Sequence, residues 1–358
     1  ETYAKSTLIK KNNKTYGLIS LPKFYVDFDN YNNRNCASDV KKEILKLKQE
    51  GIEGLVLDLR NNGGGSLQTV VDMTGLFIKE GPVVQVKSFG DRKQVVYDKD
   101  PSIFWDGPMV VLVNQMSASA SEILAAALQD YNRAVIVGST QSFGKGTVQN
   151  VIDLNRFLSN SQFDLGALKI TTDKFYRING GSVQVEGVKS DITIPNRLSF
   201  IPIGENDEKN PLKWDQIDSA NYEKWNGYYN LNEVIKSGND QIKKNQFALL
   251  VKENAKWIAS KQNPKSLTLN YIDYKKSQED DKNYLTKFEG IKNYKNDLEF
   301  EFITNEEDAI ENSKEILERR KRWKKGLQSD FQLNEGLKVL DNLKLRIINK
   351  KSIIANKD

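Results

Sequence analysis

Apolar runs alternate with amphipathic segments along the first half of the chain. A short apolar run predicts a strand, whereas apolar residues three or four apart predict the covered face of a helix. The predicted strands are Gly17–Leu21, Phe24–Phe28, Leu55–Leu59, Val83–Val86 and Met109–Val113. Three helices are predicted in the same half. The first is capped by Ser38 and has Val40, Ile44 and Leu47 on its apolar face, and the second is capped by Ser66 and carries Val70, Val71, Leu76 and Phe77. The third is the alanine-rich segment 119–129. Such alternation predicts an α/β fold, with a parallel or mixed sheet covered by helices.

The pattern changes twice in the second half. Further strands are predicted at Ala134–Val137, Thr147–Leu154, Ala167–Thr171, Phe175–Ile178, Ser182–Val185 and Ile192–Ile194. Residues 199–215 combine prolines, a glycine and charges, which is typical of a surface connection. Beyond Trp214 the chain is mainly helical, with a capping-box pattern at 304–307 and a terminal apolar face of Leu333, Leu337, Leu340 and Ile347. We therefore predict a core over 1–198, a linker over 199–215 and a helical C-terminal domain over 216–358.

Composition restricts the chemistry that this core can perform. The 358 residues include no histidine and one cysteine, Cys36. Without imidazole the chain cannot build a Ser-His-Asp triad, a Cys-His dyad or a histidine-ligated metal site. A single cysteine allows neither an internal disulfide nor a thiolate zinc cluster. We therefore expect no metal site built from histidine or cysteine ligands.

Charge and hydropathy argue against two further classes. Lys and Arg number 53 against 48 for Asp and Glu, an excess too small to indicate nucleic-acid binding unless it is clustered. No apolar run approaches the length that spans a bilayer. The chain starts at Glu1 without an initiator Met or a signal peptide, so we expect a trimmed or processed fragment.

A glycine-rich loop follows the predicted strand Leu55–Leu59. It reads Asp58-Leu-Arg-Asn-Asn-Gly-Gly-Gly65 and leads into a helix. Its backbone N–H groups can approach a ligand closely, and the helix N-terminus adds partial positive charge, so it can hold a phosphate or a developing oxyanion. The same pattern is at least as typical of a tight turn between a strand and a helix.

Serines cluster at the start of the alanine-rich helix, at positions 117, 119 and 121. A serine there can be a nucleophile whose hydroxyl is exposed at the sheet edge, while the N–H of Ala120 points at the incoming carbonyl oxygen. Ser119 and Glu122 also form a capping box, and local sequence alone favours that structural explanation.

One lysine, Lys145, lies between two glycines. The segment 138–149 misses the phosphate-binding P-loop pattern at both ends. To act as a base, Lys145 needs a pKa below its free value of ~10.4, and burial without a carboxylate partner acts in that direction. Gln149 comes four residues later and could contact Lys145 if the chain bends at Gly146. The alternative is an ordinary solvated loop lysine.

A serine at a helix start, a lysine on a glycine turn and a glycine-rich loop are together the components of a Ser-Lys acyl hydrolase. Several segments resemble the carboxy-terminal processing, or tail-specific, proteases, which are serine peptidases with a ClpP/crotonase-like core. These segments are LVLDLRNNGGGSL (55–67), VVLVNQMSASASEILAAALQDYNRAVIVG (110–138), FGKGTVQ (143–149) and KFYRINGGSVQVEGVKSDITIP (174–195). KWDQIDSANY (213–222) and the Lys-rich tail resemble the long subgroup of the Gram-negative periplasm.

The resemblance implies a role for each motif residue. The implied site consists of Ser119 as nucleophile, Lys145 as general base, Gln149 as the partner that orients Lys145, and the N–H of Ala120 with that of Gly64 or Gly65 as the oxyanion hole. No cofactor or metal is implied.

The resemblance also implies partners and a setting. The substrates would be proteins or peptides with unstructured, apolar C-terminal tails, the location would be the periplasm, and an adaptor lipoprotein is a further partner to look for. Neither nucleic acid nor a membrane span is expected. The family places a PDZ domain ahead of its catalytic core, and we expect this fragment to lack one, because nothing before Tyr16 could encode it.

Two other classes of function stay open. The first is a non-catalytic ligand- or peptide-binding module on the same fold, against which the intact Ser119, Lys145 and Gln149 argue. The second is nucleic-acid binding through the basic run 319–325. Acidic residues at 306, 307, 308 and 311 on the same predicted helix favour a salt-bridged surface instead.

Overall fold

The computed structural model describes residues 3–27, 30, 33–88, 90, 92–157, 164–262, 266, 268–303 and 313–347. Its strands are β1 (Lys5–Lys11), β2 (Lys14–Ser20), β3 (Leu55–Asp58), β4 (Gly81–Ser88), β5 (Lys93–Asp98), β6 (Met109–Val113), β7 (Val135–Gly138), β8 (Thr147–Asp153), β9 (Ala167–Tyr176), β10 (Ile192–Thr193) and β11 (Glu299–Glu301). Its helices are α1 (Cys36–Gln49), α2 (Leu67–Gly75), α3 (Ala120–Asp130), α4 (Leu231–Lys244), α5 (Gln246–Gln262), α6 (Tyr271–Leu285), α7 (Glu289–Lys292), α8 (Lys314–Leu327) and α9 (Phe331–Lys344).

A mixed sheet forms the centre of the fold, in the strand order β10-β7-β6-β3-β2-β1-β11. The strands from β10 to β2 run parallel to one another, whereas β1 pairs antiparallel with both β2 and β11. Parallel strands need helical crossovers, and α1, α2 and α3 provide several of them. The predicted α/β core with covering helices and a mainly helical C-terminal region is confirmed.

Alternate side chains of the parallel strands enter two separate apolar cores. Leu55 and Leu57 of β3 face the core formed with α1, α2 and α3, while Val56 faces the core formed with α4 and α9. All three side chains are fully buried, as expected for a parallel sheet that is covered on both faces. The sheet therefore fixes the ends of β3 and β6. The glycine-rich loop follows the first of these strands, and the segment that contains Ser119 follows the second.

A second, antiparallel sheet has the strand order β5-β4-β9-β8 over the described residues. The strand β8 lies at its edge, and its pairing with β9 shifts register between Val148 and Gln149. A bulge of this kind redirects the side chains that follow it. This irregularity lies beside the candidate lysine.

Several elements differ from the prediction. Helix α1 is capped by Asn35, whose side chain accepts the N–H of Ser38, so the cap is three residues earlier than the predicted one. Phe24 makes only an isolated bridge to Gly65, and the residues described after it form no strand up to position 27. The segments predicted as two strands around Lys174 are the single strand β9. We did not predict β1, β5 or β11, because their charged residues obscure the apolar alternation.

The C-terminal region packs against the core sheet. The strand β11 extends the sheet at β1, and α9 contacts β3, β6 and β7. Leu333, Leu337 and Leu340 of α9 are fully buried as predicted, whereas Ile347 lies beyond the helix and pairs with Tyr228. The first helix after the connection begins at Leu231, and the capping-box pattern at 304–307 lies outside the described residues. Among the described helices, none has the length and apolar content that crossing a bilayer requires.

Candidate active site

Ser119 lies at the junction between β6 and α3. It immediately precedes the first residue of α3, its φ is +57°, and it is half-buried. A positive φ is rare for a residue with a side chain and is found disproportionately at functional sites. The N–H of Glu122 donates to the carbonyl oxygen of Ser119, and one carboxylate oxygen of Glu122 accepts the Ser119 N–H at 2.8 Å.

The glycine-rich loop packs directly against this junction. Gly64 has a φ of +100°, and a Cβ there would lie 2.8 Å from both the carbonyl oxygen of Ala118 and the Cβ of Ser119. The Ser117 hydroxyl donates to the carbonyl oxygen of Leu59, and the Ser121 hydroxyl to that of Asn62, both at 2.8 Å. The two serines that flank Ser119 therefore tie the glycine loop to the start of α3, a role that we did not predict for them.

The two glycines proposed for the oxyanion hole differ in their surroundings. The N–H of Gly64 already donates to the side-chain oxygen of Asn62 at 2.9 Å. Gly65 lines the same cavity as Ser119 and Ala120, and Gly64 does not. The Gly64 N–H is thus already bonded, whereas Gly65 borders the cavity beside Ala120.

Lys145 is held on a turn between β7 and β8. Its Nζ donates to Oε1 of Gln149 at 2.9 Å. Contact over four residues is possible because Lys145 precedes the strand and the β8 register shifts before Gln149. Lys145 is half-buried rather than fully desolvated, since β8 is an edge strand and Gln149 is exposed.

Glu122 connects the serine to the lysine turn. Its carboxylate accepts the Ser119 N–H, the Lys145 N–H at 2.9 Å, the Gly144 N–H at 2.7 Å and the Ser142 hydroxyl at 2.6 Å. The side chain is fully buried, and burial raises the pKa of Glu122 to about 7 although these hydrogen bonds act in the opposite direction. Sequence reasoning identified Glu122 only as part of a capping box, because its other partners lie twenty or more positions away.

Ser119, Lys145 and Gln149 all line one cavity of about 570 Å³. Leu67, Ile123, Val148 and Phe175 contribute apolar surface to the same cavity. The cavity therefore brings a serine hydroxyl, a lysine amine and an amide side chain together beside apolar surface.

The other candidate sites are less supported. Within the described part of the chain, no three His, Cys, Asp or Glu side chains are grouped so as to hold a metal ion. In the basic run on α8, Arg319 pairs with Glu315 and Lys321 with Glu318. The acidic residues at 306, 307, 308 and 311 lie outside the described residues.

Comparisons with known proteins agree with this description. The family model described as peptidase family S41 matches residues 15–194, and the model described as the C-terminal domain of tail specific protease matches residues 198–344. The chain is 40% identical over 272 residues to a tail-specific protease of Haemophilus influenzae, covering 75% of this chain and 38% of that protein. It is 36% identical over 178 residues to a carboxy-terminal-processing protease of Bartonella bacilliformis, covering 48% of this chain and 39% of that protein.

The solved structures that are similar to this chain include one titled photosystem II D1 C-terminal processing protease. The TM-score is 0.45, the sequence identity is 28%, and the match covers 53% of this chain and 48% of that chain. The chain spans about two fifths of the length of the curated relatives that it matches.

Proposed function

The chain belongs to peptidase family S41, and on this basis we propose that it carries the catalytic centre of a serine endopeptidase with Ser119 as nucleophile and Lys145 as general base. One observation carries the proposal. The backbone N–H groups of Ser119 and Lys145 bind the same oxygen of Glu122, so their nitrogens are no farther apart than the sum of two hydrogen bonds, 2.8 and 2.9 Å. Two segments that are distant in sequence are thereby fixed beside one cavity.

In the proposed mechanism, the Nζ atom of Lys145 takes the proton of the Ser119 hydroxyl as that oxygen attacks a peptide carbonyl carbon. The N–H groups of Ala120 and Gly65 stabilise the negative charge on the carbonyl oxygen. Lys145 then gives its proton to the departing amine, which leaves an ester on Ser119. Water then attacks the ester carbonyl carbon while Lys145 accepts a proton from it, and Lys145 returns that proton to the Ser119 oxygen as the acid product leaves. Gln149 accepts a hydrogen bond from Nζ and orients it.

Apolar surface in the cavity supports a substrate segment with an apolar side chain at the cleavage site. The names of the relatives add the hypothesis that cleavage is directed by the C-terminal tails of protein substrates. A periplasmic location and an adaptor lipoprotein are parts of the same hypothesis, and they rest on the resemblance of the C-terminal region alone.

Proteolysis of an unstructured protein with an apolar C-terminal tail tests the proposal. We expect Ser119→Ala to abolish cleavage and to leave the circular dichroism spectrum unchanged, because the half-buried hydroxyl is a small part of the packing. Ser260→Ala is a matched control, since Ser260 lies in α5 and only bonds a carbonyl of its own helix. Undiminished cleavage by Ser119→Ala would refute the assignment.

A non-catalytic binding module is the alternative. It predicts that a fluorophosphonate, which reacts with activated serines by losing fluoride, leaves the wild-type chain unmodified. The proposed enzyme predicts stoichiometric modification.

A further inference from the structure

Gln184 is a second side chain that binds the lysine turn, in addition to Glu122. Its Oε1 accepts the N–H of Gly146 at 2.9 Å, and the Gln184 side chain is fully buried. The backbones of Gly146 and Gln184 are also close, since a Cβ on Gly146 would be 2.8 Å from the backbone nitrogen of Gln184. Together with the two N–H groups bound by Glu122, this means that side-chain oxygens hold Gly144, Lys145 and Gly146 in succession.

The orientation of the Gln184 amide is fixed by its partners. Its oxygen faces an N–H group, which can only donate, and its Nε2 faces Oε1 of Glu205 at 3.0 Å. Reversing the amide would place donor against donor on one side, so the network determines which atom points where. The next residue, Val185, has a φ of +57°, which is an outlier for a β-branched side chain.

Glu205 belongs to the connection that follows the core, the segment expected to be a linker. Its backbone N–H donates to the carbonyl oxygen of Phe143 at 2.9 Å, two residues before Lys145. Glu205 thus contacts the turn at Phe143 directly and at Gly146 through Gln184. These three hydrogen bonds link both ends of the segment 143–146 through Gln184 and Glu205, so a residue of the connection helps to hold the lysine turn.

We propose that Gln184 is a positioning residue for Lys145 and that Glu205 holds the Gln184 amide in its working orientation. The proposal rests on the proposed function, because it assigns Gln184 a role only if Lys145 is the base. It predicts that the connection after the core contributes to catalysis as well as joining two regions.

The test is the rate at which a fluorophosphonate modifies Ser119, measured across pH. Gln184→Met removes both side-chain hydrogen bonds at similar size, and we expect it to slow modification by on the order of tenfold to a hundredfold, since displacement of a catalytic group by about 1 Å has such effects. We also expect the rate of modification of Gln184→Met to have a different midpoint in its pH profile from that of the wild-type chain. Gln85→Met is the matched control, because Gln85 is an equally buried amide that binds carbonyls of Arg177 and Asp218.

A paired exchange separates positioning from packing. Gln184→Glu keeps an acceptor for Gly146 but sets two carboxylates against each other, so we expect slow modification. Adding Glu205→Gln restores this hydrogen bond with its direction reversed, because the new amide at position 205 donates to the new carboxylate at position 184. We therefore expect the rate of modification to recover in the double variant. Glu205→Ala, at a half-buried site that tolerates truncation, should slow modification in a fully folded chain.

The inference is overturned if Glu205→Ala and a folded Gln184→Met both react at the wild-type rate with the wild-type pH profile, or if the double variant recovers nothing. Failure of the proposed function gives a different result, in which the wild-type chain itself is not modified at Ser119.

Discussion

Ser119 and Lys145 share one hydrogen-bond acceptor, since both backbone N–H groups donate to Oε2 of Glu122, at 2.8 and 2.9 Å. The nucleophile segment and the lysine turn therefore cannot move apart without breaking a bond to a buried carboxylate. This relationship makes Glu122 the first position to test.

Replacing Glu122 by Gln is expected to impair both activity and stability. An amide places N–H groups where the carboxylate offers only acceptors, so at least one backbone donor loses its partner. We expect fluorophosphonate modification to slow by on the order of tenfold to a hundredfold, and the free energy of unfolding to fall by about 1–3 kcal/mol. Glu186→Gln is the control, because Glu186 forms only an exposed pair with Lys189. Equal rates for the two variants would contradict the role given to Glu122.

The contribution of Glu122 to stability should depend on pH. Burial raises its pKa to about 7 in the folded chain, from an ordinary value of 4.5. Between these values the folded chain retains a proton that the unfolded chain has lost, so this group's contribution to the free energy of unfolding falls as pH rises. Urea unfolding should show that the advantage of the wild-type chain over Glu122→Gln shrinks between about pH 5 and about pH 8. An advantage that grows over this interval would contradict the expectation.

Substitution within the glycine loop should discriminate between neighbouring positions. Gly64→Ala requires a strained φ of +100° and sets a methyl group against Ala118 and Ser119. We expect modification of Ser119 to be abolished or severely slowed, because the loop must move away from the nucleophile. Gly63→Ala has no atom within 4 Å of its new Cβ and no unusual φ, so it should react at close to the wild-type rate. If Gly64→Ala retained full reactivity, the packing of this loop would not matter for catalysis.

A largely buried group of three charged side chains links the C-terminal helix α9 to the core sheet. Arg60 donates to both carboxylate oxygens of Asp58 and to both of Asp330, the N-cap of α9. Burial alone would raise the pKa of Asp330, but Arg60 beside it holds the pKa below its usual range. Asp330→Asn keeps an oxygen that can cap the helix, but it removes the charge and replaces one acceptor of Arg60 with an amide N–H donor.

We expect Asp330→Asn to lower the free energy of unfolding by about 1–3 kcal/mol, because Arg60 retains Asp58 as a partner. Asp297→Asn is the control, because Asp297 is an exposed carboxylate that pairs with Lys11, and it should change stability by less than about 0.5 kcal/mol. Urea unfolding of both variants measures the difference. Equal stabilities would mean that Asp330 holds α9 by its capping bond alone.

Several features that depend on near neighbours were predicted correctly from the sequence. The strand Met109–Val113 has the predicted bounds, and Ser66 caps α2 by accepting the Thr69 N–H. The choice of Ser38 over Asn35 as a cap failed because both residue types cap helices and the sequence does not say where the first helical turn begins.

Contacts between distant segments were not predictable in the same way. The sequence presented Glu122 as a helix-capping residue and Gln184 as one position in a strand. Their partners at Lys145, Gly146 and Glu205 become neighbours only after the sheet has formed. Lys145 and Gln149 were found because they lie close in sequence and match a family pattern, whereas the groups that hold the lysine turn match no local pattern.

Mass mapping of the chain after treatment with a fluorophosphonate tests the central claim most directly. The account predicts a single adduct on the peptide that contains Ser119, its loss in Ser119→Ala, and much slower formation in Lys145→Met at neutral pH, because no base remains to take the hydroxyl proton. An adduct that persists in Ser119→Ala, or one that forms in Lys145→Met at the wild-type rate, would contradict the assignment of Ser119 and Lys145 as nucleophile and base.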